Sequence, residues 1–90
     1  MLTPAPTGLF KRDRKLIKKR NMNMDKLDEV MNLLINEQPL LPRHKNHPLH
    51  GKWEGTFECH IEPDWLLIYD TDLSIQKITF HRTGSHSDLY

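Results

Sequence analysis

The chain has 90 residues, with 13 Lys/Arg, 12 Asp/Glu and a net charge of +1. A chain of this length builds only one small core, so we expect a single domain over residues 1–90. The single cysteine, Cys59, excludes an internal disulfide and fits a reducing cytoplasm. The start, "MLTPAPTGLF", matches neither a signal peptide nor a membrane span, so we expect a cytoplasmic protein with no membrane partner.

The positive charge is concentrated near the N-terminus. Residues 1–45 hold ten Lys/Arg and five Asp/Glu, whereas residues 46–90 hold three and seven. Seven basic residues lie in "KRDRKLIKKR", residues 11–20. Such a block is either a solvated helix face or a phosphate-binding stripe, and the sequence leaves both open. The candidates for phosphate contacts are Lys11, Arg12, Arg14, Lys15, Lys18 and Lys19.

The first half of the chain predicts an edge strand followed by two helices. In residues 2–7, Pro4 and Pro6 are two positions apart, so their missing N–H groups face one side and leave the other free to pair. Thr7 is a suitable N-cap for a helix over roughly 8–20 that carries the basic block.

A second helix is predicted over about 25–37, and Pro39 ends it. Its apolar residues follow the 3.6-residue period: Leu27, Val30, Met31, Leu34 and Ile35. Two consecutive helices joined by a short loop indicate a hairpin that packs on a flat surface.

The second half predicts that surface as three strands, over residues 52–61, 64–70 and 74–81. Alternation in "KWEGTFECHI" assigns Trp53, Phe57, Cys59 and Ile61 to one face, and Glu54, Thr56, Glu58 and His60 to the other. The prediction is an α+β fold, with a small, mainly antiparallel sheet, a two-helix hairpin packed on one face and the opposite face open.

Histidines concentrate around this sheet and in the long loop at 39–51, which is of a length that is often functional. His60 lies on the polar face of its strand, and Asp64 opens the next strand only four residues later. Arg82 and His86 follow the third strand. If the strands are neighbours, these groups converge at one end of the open face.

One interpretation of the histidines is a metal site, since His44, His47 and His50 are spaced by three. That spacing suits a helix, which Pro48 disfavours, and it differs from common loop zinc motifs. We therefore expect neither a metal nor another cofactor.

The other interpretation is acid–base cleavage of RNA. This reaction needs a base for the 2′-hydroxyl, an acid for the leaving 5′-oxygen and a cation for the charge on the phosphorus. Imidazoles titrate near neutral pH and suit the first two roles, and a guanidinium suits the third. Asp64 is placed to hold an imidazole in one tautomer, and Tyr90 offers either a ring for base stacking or an aromatic that closes the core.

These stretches resemble a known family. "HPLHGKWEGTFECHIEPDWLLIYD" followed by "HRTGSHSDLY" is similar to the YafQ branch of the RelE/ParE toxin superfamily, over nearly the whole chain. The resemblance implies a RelE-like fold and a type II toxin that cuts mRNA in the 30S ribosomal A site without metal. It also implies a cognate antitoxin and, for the basic helix, contacts with ribosomal RNA.

The resemblance also implies roles for matching positions. The catalytic set is His47, His60, Asp64, Arg82 and His86, and the substrate-binding set adds Trp65 and Tyr90 to the basic residues. Which histidine is the base does not transfer, and we favour His86 as the proton donor to the leaving oxygen. His44, His50 and His81 lie outside the pattern and are expected at the surface or in local RNA contacts. The alternatives are a non-catalytic ribosome-binding module and a ParE-like toxin acting on gyrase, although gyrase-directed relatives generally lack this histidine set.

Overall fold

The computed structural model describes all 90 residues and has an α+β architecture, as predicted. Two helices form first, and a third closes the chain: α1 (Gly8–Lys19), α2 (Met24–Ile35) and α3 (His86–Leu89). Five strands form one sheet in the order β1-β5-β4-β3-β2: β1 (Thr3–Pro6), β2 (His47–Pro48), β3 (Phe57–Glu62), β4 (Trp65–Asp72) and β5 (Lys77–Gly84). Only the β1–β5 pair is parallel. None of the helices has the length and apolar character that crossing a membrane requires.

Helices α1 and α2 pack on one face of the sheet and form the main core with it. Thr7 caps α1 by accepting the Phe10 N–H at 3.1 Å, as its position in the sequence predicts. The core joins Leu2 and two residues from each helix to alternate residues of the strands: Phe10, Ile17, Leu27, Val30, Cys59, Ile61, Trp65, Leu67, Tyr69, Ile78 and Phe80. The hairpin is therefore the layer that supports the back of the sheet.

The opposite face is not wholly open, which corrects the sequence-based expectation. Leu66 and Ile68 form a second, smaller core there with Leu89 of α3, and Trp53 packs against it. Trp53 was predicted on the helix face. Alternation fails because residues 51–53 form a 3-10 turn and Gly55 adopts a φ of 91°, so the regular strand begins only at Phe57.

The long loop also holds more structure than predicted. It contains a 3-10 turn at Pro42–His44 and the short strand β2, which pairs His47 with Glu58 of β3. This pairing places His47 beside the polar face of β3, because residues directly opposite in an antiparallel pair point to the same side.

The outer edge of the sheet is closed by β1 and by side chains from α1. The Thr3 N–H donates to the carbonyl of Gln76, just before β5, at 2.7 Å, and the Thr7 N–H donates to Phe80 of β5 at 3.1 Å. Pro4 and Pro6 lie at intervening positions. Beyond β1, the Asp13 carboxylate accepts the Thr83 N–H at 3.2 Å. The predicted edge strand is thus confirmed, and it is four residues long.

Candidate active site

Three of the predicted histidines lie together on the face opposite the helices. The ring centroids of His47 and His60 are 6.3 Å apart, and those of His60 and His86 are 6.0 Å apart. We call these three side chains the histidine arc. They come from β2, β3 and the start of α3, so the sheet and the C-terminal helix together assemble a group that is dispersed in the sequence.

His86 is oriented by Asp64, which lies in the turn between β3 and β4. The Asp64 Oδ1 accepts both the backbone N–H of His86, at 2.9 Å, and its Nδ1, at 2.5 Å. These two hydrogen bonds, the backbone one first, hold the pKa of Asp64 below its usual value. The carboxylate therefore stays ionised and engages Nδ1, which leaves Nε2 as the ring nitrogen that Asp64 does not hold.

The short helix that carries His86 is fixed by Asp88. Ser85 and Asp88 form a reciprocal capping box, with the Ser85 N–H donating to Asp88 Oδ2 at 2.9 Å and the Asp88 N–H donating to Ser85 Oγ at 3.2 Å. The guanidinium of Arg20 binds both carboxylate oxygens, at 2.7 and 3.0 Å. A Cβ on Gly84 would lie 2.9 Å from the Asp88 side chain, so glycine is required at this close approach.

Glu58 is a member of this site that was not predicted from the sequence. Its buried carboxylate lies among the arc, with Oε1 3.5 Å from Nε2 of His47 and 4.0 Å from Nε2 of His60. The signal was present, because alternation placed Glu58 on the same face as His60. Its importance was hidden because a polar-face glutamate usually lies in solvent, whereas this one is covered by its neighbours.

Tyr90 lies at the other end of the arc. Its hydroxyl donates a hydrogen bond to Glu58, and its ring centroid is 6.5 Å from that of His86. Burial of the hydroxyl and then the bond to Glu58 raise the pKa of Tyr90 above its usual range. The phenol therefore remains a donor while most of the residue is exposed, and base stacking on its ring stays a prediction.

Arg82 lies on β5 opposite Ile68, next to a β-bulge at His81. Its guanidinium is held by Asp13 of α1 through Nε, at 2.7 Å, and Nη2, at 3.1 Å. The hydrogen bond to Asp13 raises the pKa of Arg82 above its usual range, so the side chain is permanently cationic. Its predicted contact with a phosphate remains a prediction, and it would have to use the part of the guanidinium that Asp13 leaves free.

The prediction that Trp65 binds substrate is wrong. The residue is only 1% exposed and lies in the core between the sheet and the helices, where its Nε1 donates to Thr83 Oγ1 at 2.9 Å. It follows Asp64 directly in the sequence but points to the opposite face, because neighbouring strand residues alternate. Trp65 supports the strand ends that carry the site and does not contact a ligand.

The predicted phosphate-binding residues of α1 fall into two groups. Five are exposed and form what we call the basic helix face: Lys11, Arg12, Lys15, Lys18 and Lys19. Arg14 differs, because its guanidinium binds Asp28 of α2 at 2.7 Å and so contributes to the contact between the two helices. The basic helix face is available for anions, and its phosphate contacts stay a prediction.

The remaining histidines lie outside the arc. His44, expected at the surface, is buried, and its Nδ1 accepts the Leu41 N–H at 3.1 Å. Burial, followed by the nearby charge of Arg43, lowers the pKa of His44 below its usual value. His81 pairs with Asp70, and His50 is exposed. No group of three or more His, Cys, Asp or Glu is arranged to hold a metal ion.

Comparisons with known proteins identify the family to which the chain belongs. The sequence matches the family described as "Bacterial toxin of type II toxin-antitoxin system, YafQ" over residues 2–90. It is 45% identical over 85 residues to the mRNA interferase toxin YafQ of Escherichia coli, which covers 93% of this chain and 90% of that protein.

Solved structures give the same result. The crystal structure of YafQ from an Escherichia coli strain superposes with a TM-score of 0.92 at 40% identity, covering 100% of this chain and 99% of that one. YafQ in the Escherichia coli DinJ–YafQ complex superposes with a TM-score of 0.91 at 41% identity, with the same coverage. The match of sequence and fold over the full length shows that this chain belongs to the YafQ family of bacterial type II toxin–antitoxin toxins.

Proposed function

We propose that residues 1–90 act as a single toxin domain, a ribosome-dependent mRNA interferase that cleaves mRNA in the ribosomal A site by acid–base chemistry and thereby inhibits translation. The observation that carries this proposal is the histidine arc, in which three imidazoles and two carboxylates converge on one exposed face of the sheet. The names of similar proteins also support the proposal, because the YafQ proteins of Escherichia coli are named mRNA interferase toxins.

The groups suit cleavage of RNA by its own 2′-hydroxyl. A base removes the hydroxyl proton, the oxygen attacks the adjacent phosphorus, and an acid protonates the 5′-oxygen as its bond to phosphorus breaks. We assign the acid to His86, because Asp64 holds Nδ1 and leaves Nε2 for the leaving group. His47 or His60 supplies the base from the other end of the arc. Arg82 supplies the fixed positive charge for the phosphate oxygens.

The openness of the site supports the dependence on the ribosome. His47 and His86 have side chains about half exposed, 46% and 54%, so the protein alone does little to hold an RNA strand in register. General acid and base groups contribute about 10²–10⁴-fold each, and positioning must supply much of the remaining rate. We infer that the ribosome positions the messenger, while the basic helix face binds ribosomal RNA through its phosphates.

An antitoxin is the second partner that we propose. YafQ of Escherichia coli has been solved in complex with DinJ, its antitoxin. This chain carries the same fold over its whole length, so a cognate protein of that class is expected to bind it and block the site. The cell compartment that this implies is the cytoplasm, where messenger and ribosomes are found.

The test is cleavage of messenger on translating ribosomes by the purified protein, followed by mapping of the new RNA ends. His86→Ala is expected to lower the cleavage rate by about 10²–10⁴-fold, the range for loss of one acid–base group. His50→Ala is the matched control, since His50 is an exposed histidine outside the arc. Wild-type activity of His86→Ala would refute the catalytic assignment. On expression in cells, DNA damage signalling without cut messenger would point to gyrase.

A further inference from the structure

The most deeply placed charge in the site is the carboxylate of Glu58. Its side chain is only 7% exposed, whereas the side chains of His60 and His47 beside it are 16% and 46% exposed. A buried carboxylate is unfavourable unless it is hydrogen-bonded or paired with positive charge. The Tyr90 hydroxyl provides one hydrogen bond to Oε2, and His47 and His60 are the groups facing Oε1.

The two imidazoles that face Glu58 are held in the same way. Nδ1 of His47 lies 2.7 Å from the carbonyl oxygen of Lys45, and Nδ1 of His60 lies 3.2 Å from that of Pro63. A carbonyl oxygen only accepts hydrogen bonds, so Nδ1 carries the proton in both rings. Nε2 is then the nitrogen that gains a proton when either ring acts as a base, and in both rings Nε2 lies within 4.0 Å of Glu58 Oε1.

We propose that Glu58 is a positioning residue for RNA cleavage, acting through the bases of the histidine arc and through Tyr90. When His47 or His60 takes the 2′-hydroxyl proton on Nε2, the ring becomes cationic, and the fixed negative charge of Glu58 stabilises it. The same carboxylate anchors the Tyr90 hydroxyl and so fixes the ring beside His86. Glu58 is too buried to contact the RNA itself.

This assignment rests on the proposed nuclease activity, so its test has one readout that needs no activity. In the free protein, the imidazole ¹⁵N resonances are compared between wild type, Glu58→Gln and Glu62→Gln. Glu58→Gln keeps the shape and an acceptor for Tyr90 but removes the charge. Glu62→Gln is the matched control, because Glu62 is on the same strand and its carboxylate pairs with Lys26 of α2. We expect the Nε2 resonances of His47 and His60 to move only in Glu58→Gln.

The second readout is cleavage on ribosomes. Glu58→Gln is expected to lower kcat by about 10–100-fold with little change in KM, because the charge acts on the transition state and not on binding. Tyr90→Phe keeps the ring but loses its anchor, and is expected mainly to raise KM. Glu58→Asp retains the charge and is expected to recover part of the kcat that Glu58→Gln loses.

The outcomes separate the two proposals. Unmoved His47 and His60 resonances in Glu58→Gln, or an unchanged kcat, overturn the role of Glu58. A wild-type protein that cuts no messenger, with resonances that still respond to Glu58→Gln, overturns the nuclease and leaves the geometry of Glu58 standing. If Glu58→Gln does not fold, Glu58→Asp is measured in its place. Its shorter side chain moves the carboxylate away from His47 and His60, so the Nε2 resonances of these two rings must still shift.

Discussion

Replacement of Thr83 by valine should destabilise the protein although it hardly changes the shape of the side chain. Thr83 is 1% exposed. Its hydroxyl donates to the carbonyl of Leu66 at 2.7 Å and accepts the Nε1–H of Trp65 at 2.9 Å. It therefore joins the beginning of β4 to the end of β5, the two strand ends from which Asp64 and His86 project.

The expected loss follows from the groups that valine leaves unpaired. The Trp65 N–H would remain in an apolar core without an acceptor, which costs about 1–3 kcal/mol. The methyl group that replaces the hydroxyl regains less than about 1 kcal/mol of apolar burial. A net loss of ~2 kcal/mol corresponds to a fall in Tm of roughly 8–16 °C for a domain of this size.

The assay is thermal and urea unfolding of Thr83→Val beside Thr79→Val. Thr79 is a half-buried threonine on the same strand, and valine there should change the free energy of unfolding by no more than about 0.5 kcal/mol. If the two variants are equally stable, the hydroxyl of Thr83 does not hold the strand ends together, and the reasoning from an unpaired Trp65 N–H is wrong.

Three other predictions concern acid stability, thiol reactivity and ribosome binding. The hydrogen bonds from Arg20 and then from the Ser85 N–H hold the pKa of Asp88 below its usual value, so its stabilising contribution is complete above about pH 4 and is lost as the pH falls through the lowered pKa of the folded state. In a plot of the urea midpoint against pH, Asp88→Asn should therefore lose less stability below about pH 4 than the wild type does. An equal loss in the two proteins would contradict this. Burial raises the pKa of the Cys59 thiol to about 12, so thiol reagents at about pH 8 should label only the unfolded protein, and rapid labelling of the native protein would count against this burial. Lys15→Glu should weaken ribosome binding several-fold and make it less salt-dependent, and an equal effect of Lys52→Glu, outside the basic helix face, would remove that face from the interaction.

Features that depend on local sequence were predicted well. The helices predicted at 8–20 and 25–37 are found at Gly8–Lys19 and Met24–Ile35. Their spacing of apolar residues and the Thr7 cap act within a few residues, so the sequence alone reveals them. Alternation likewise separated Cys59, in the core, from His60, beside the site.

Features that depend on pairs distant in sequence could not be predicted. Asp13 binds Arg82, 69 residues away, and Arg20 binds Asp88, 68 residues away. The first pair holds the predicted phosphate-binding guanidinium, and the second stabilises a helix too short to show a periodic pattern. The family resemblance supplied the predicted catalytic positions, but the contacts that orient them appear only in the fold.

The arrangement of prolines at the margins of the sheet has a consequence for self-association. On the β1 side, Pro4 and Pro6 present no N–H donors outward. Beyond the end of β1, the Thr83 N–H of β5 is already bound by the Asp13 carboxylate. On the β2 side, the terminal strand has only two residues, one of them Pro48. An incoming strand from another copy finds no continuous row of hydrogen-bonding groups at either margin, so growth into amyloid-like ribbons is disfavoured even when newly made chains are crowded.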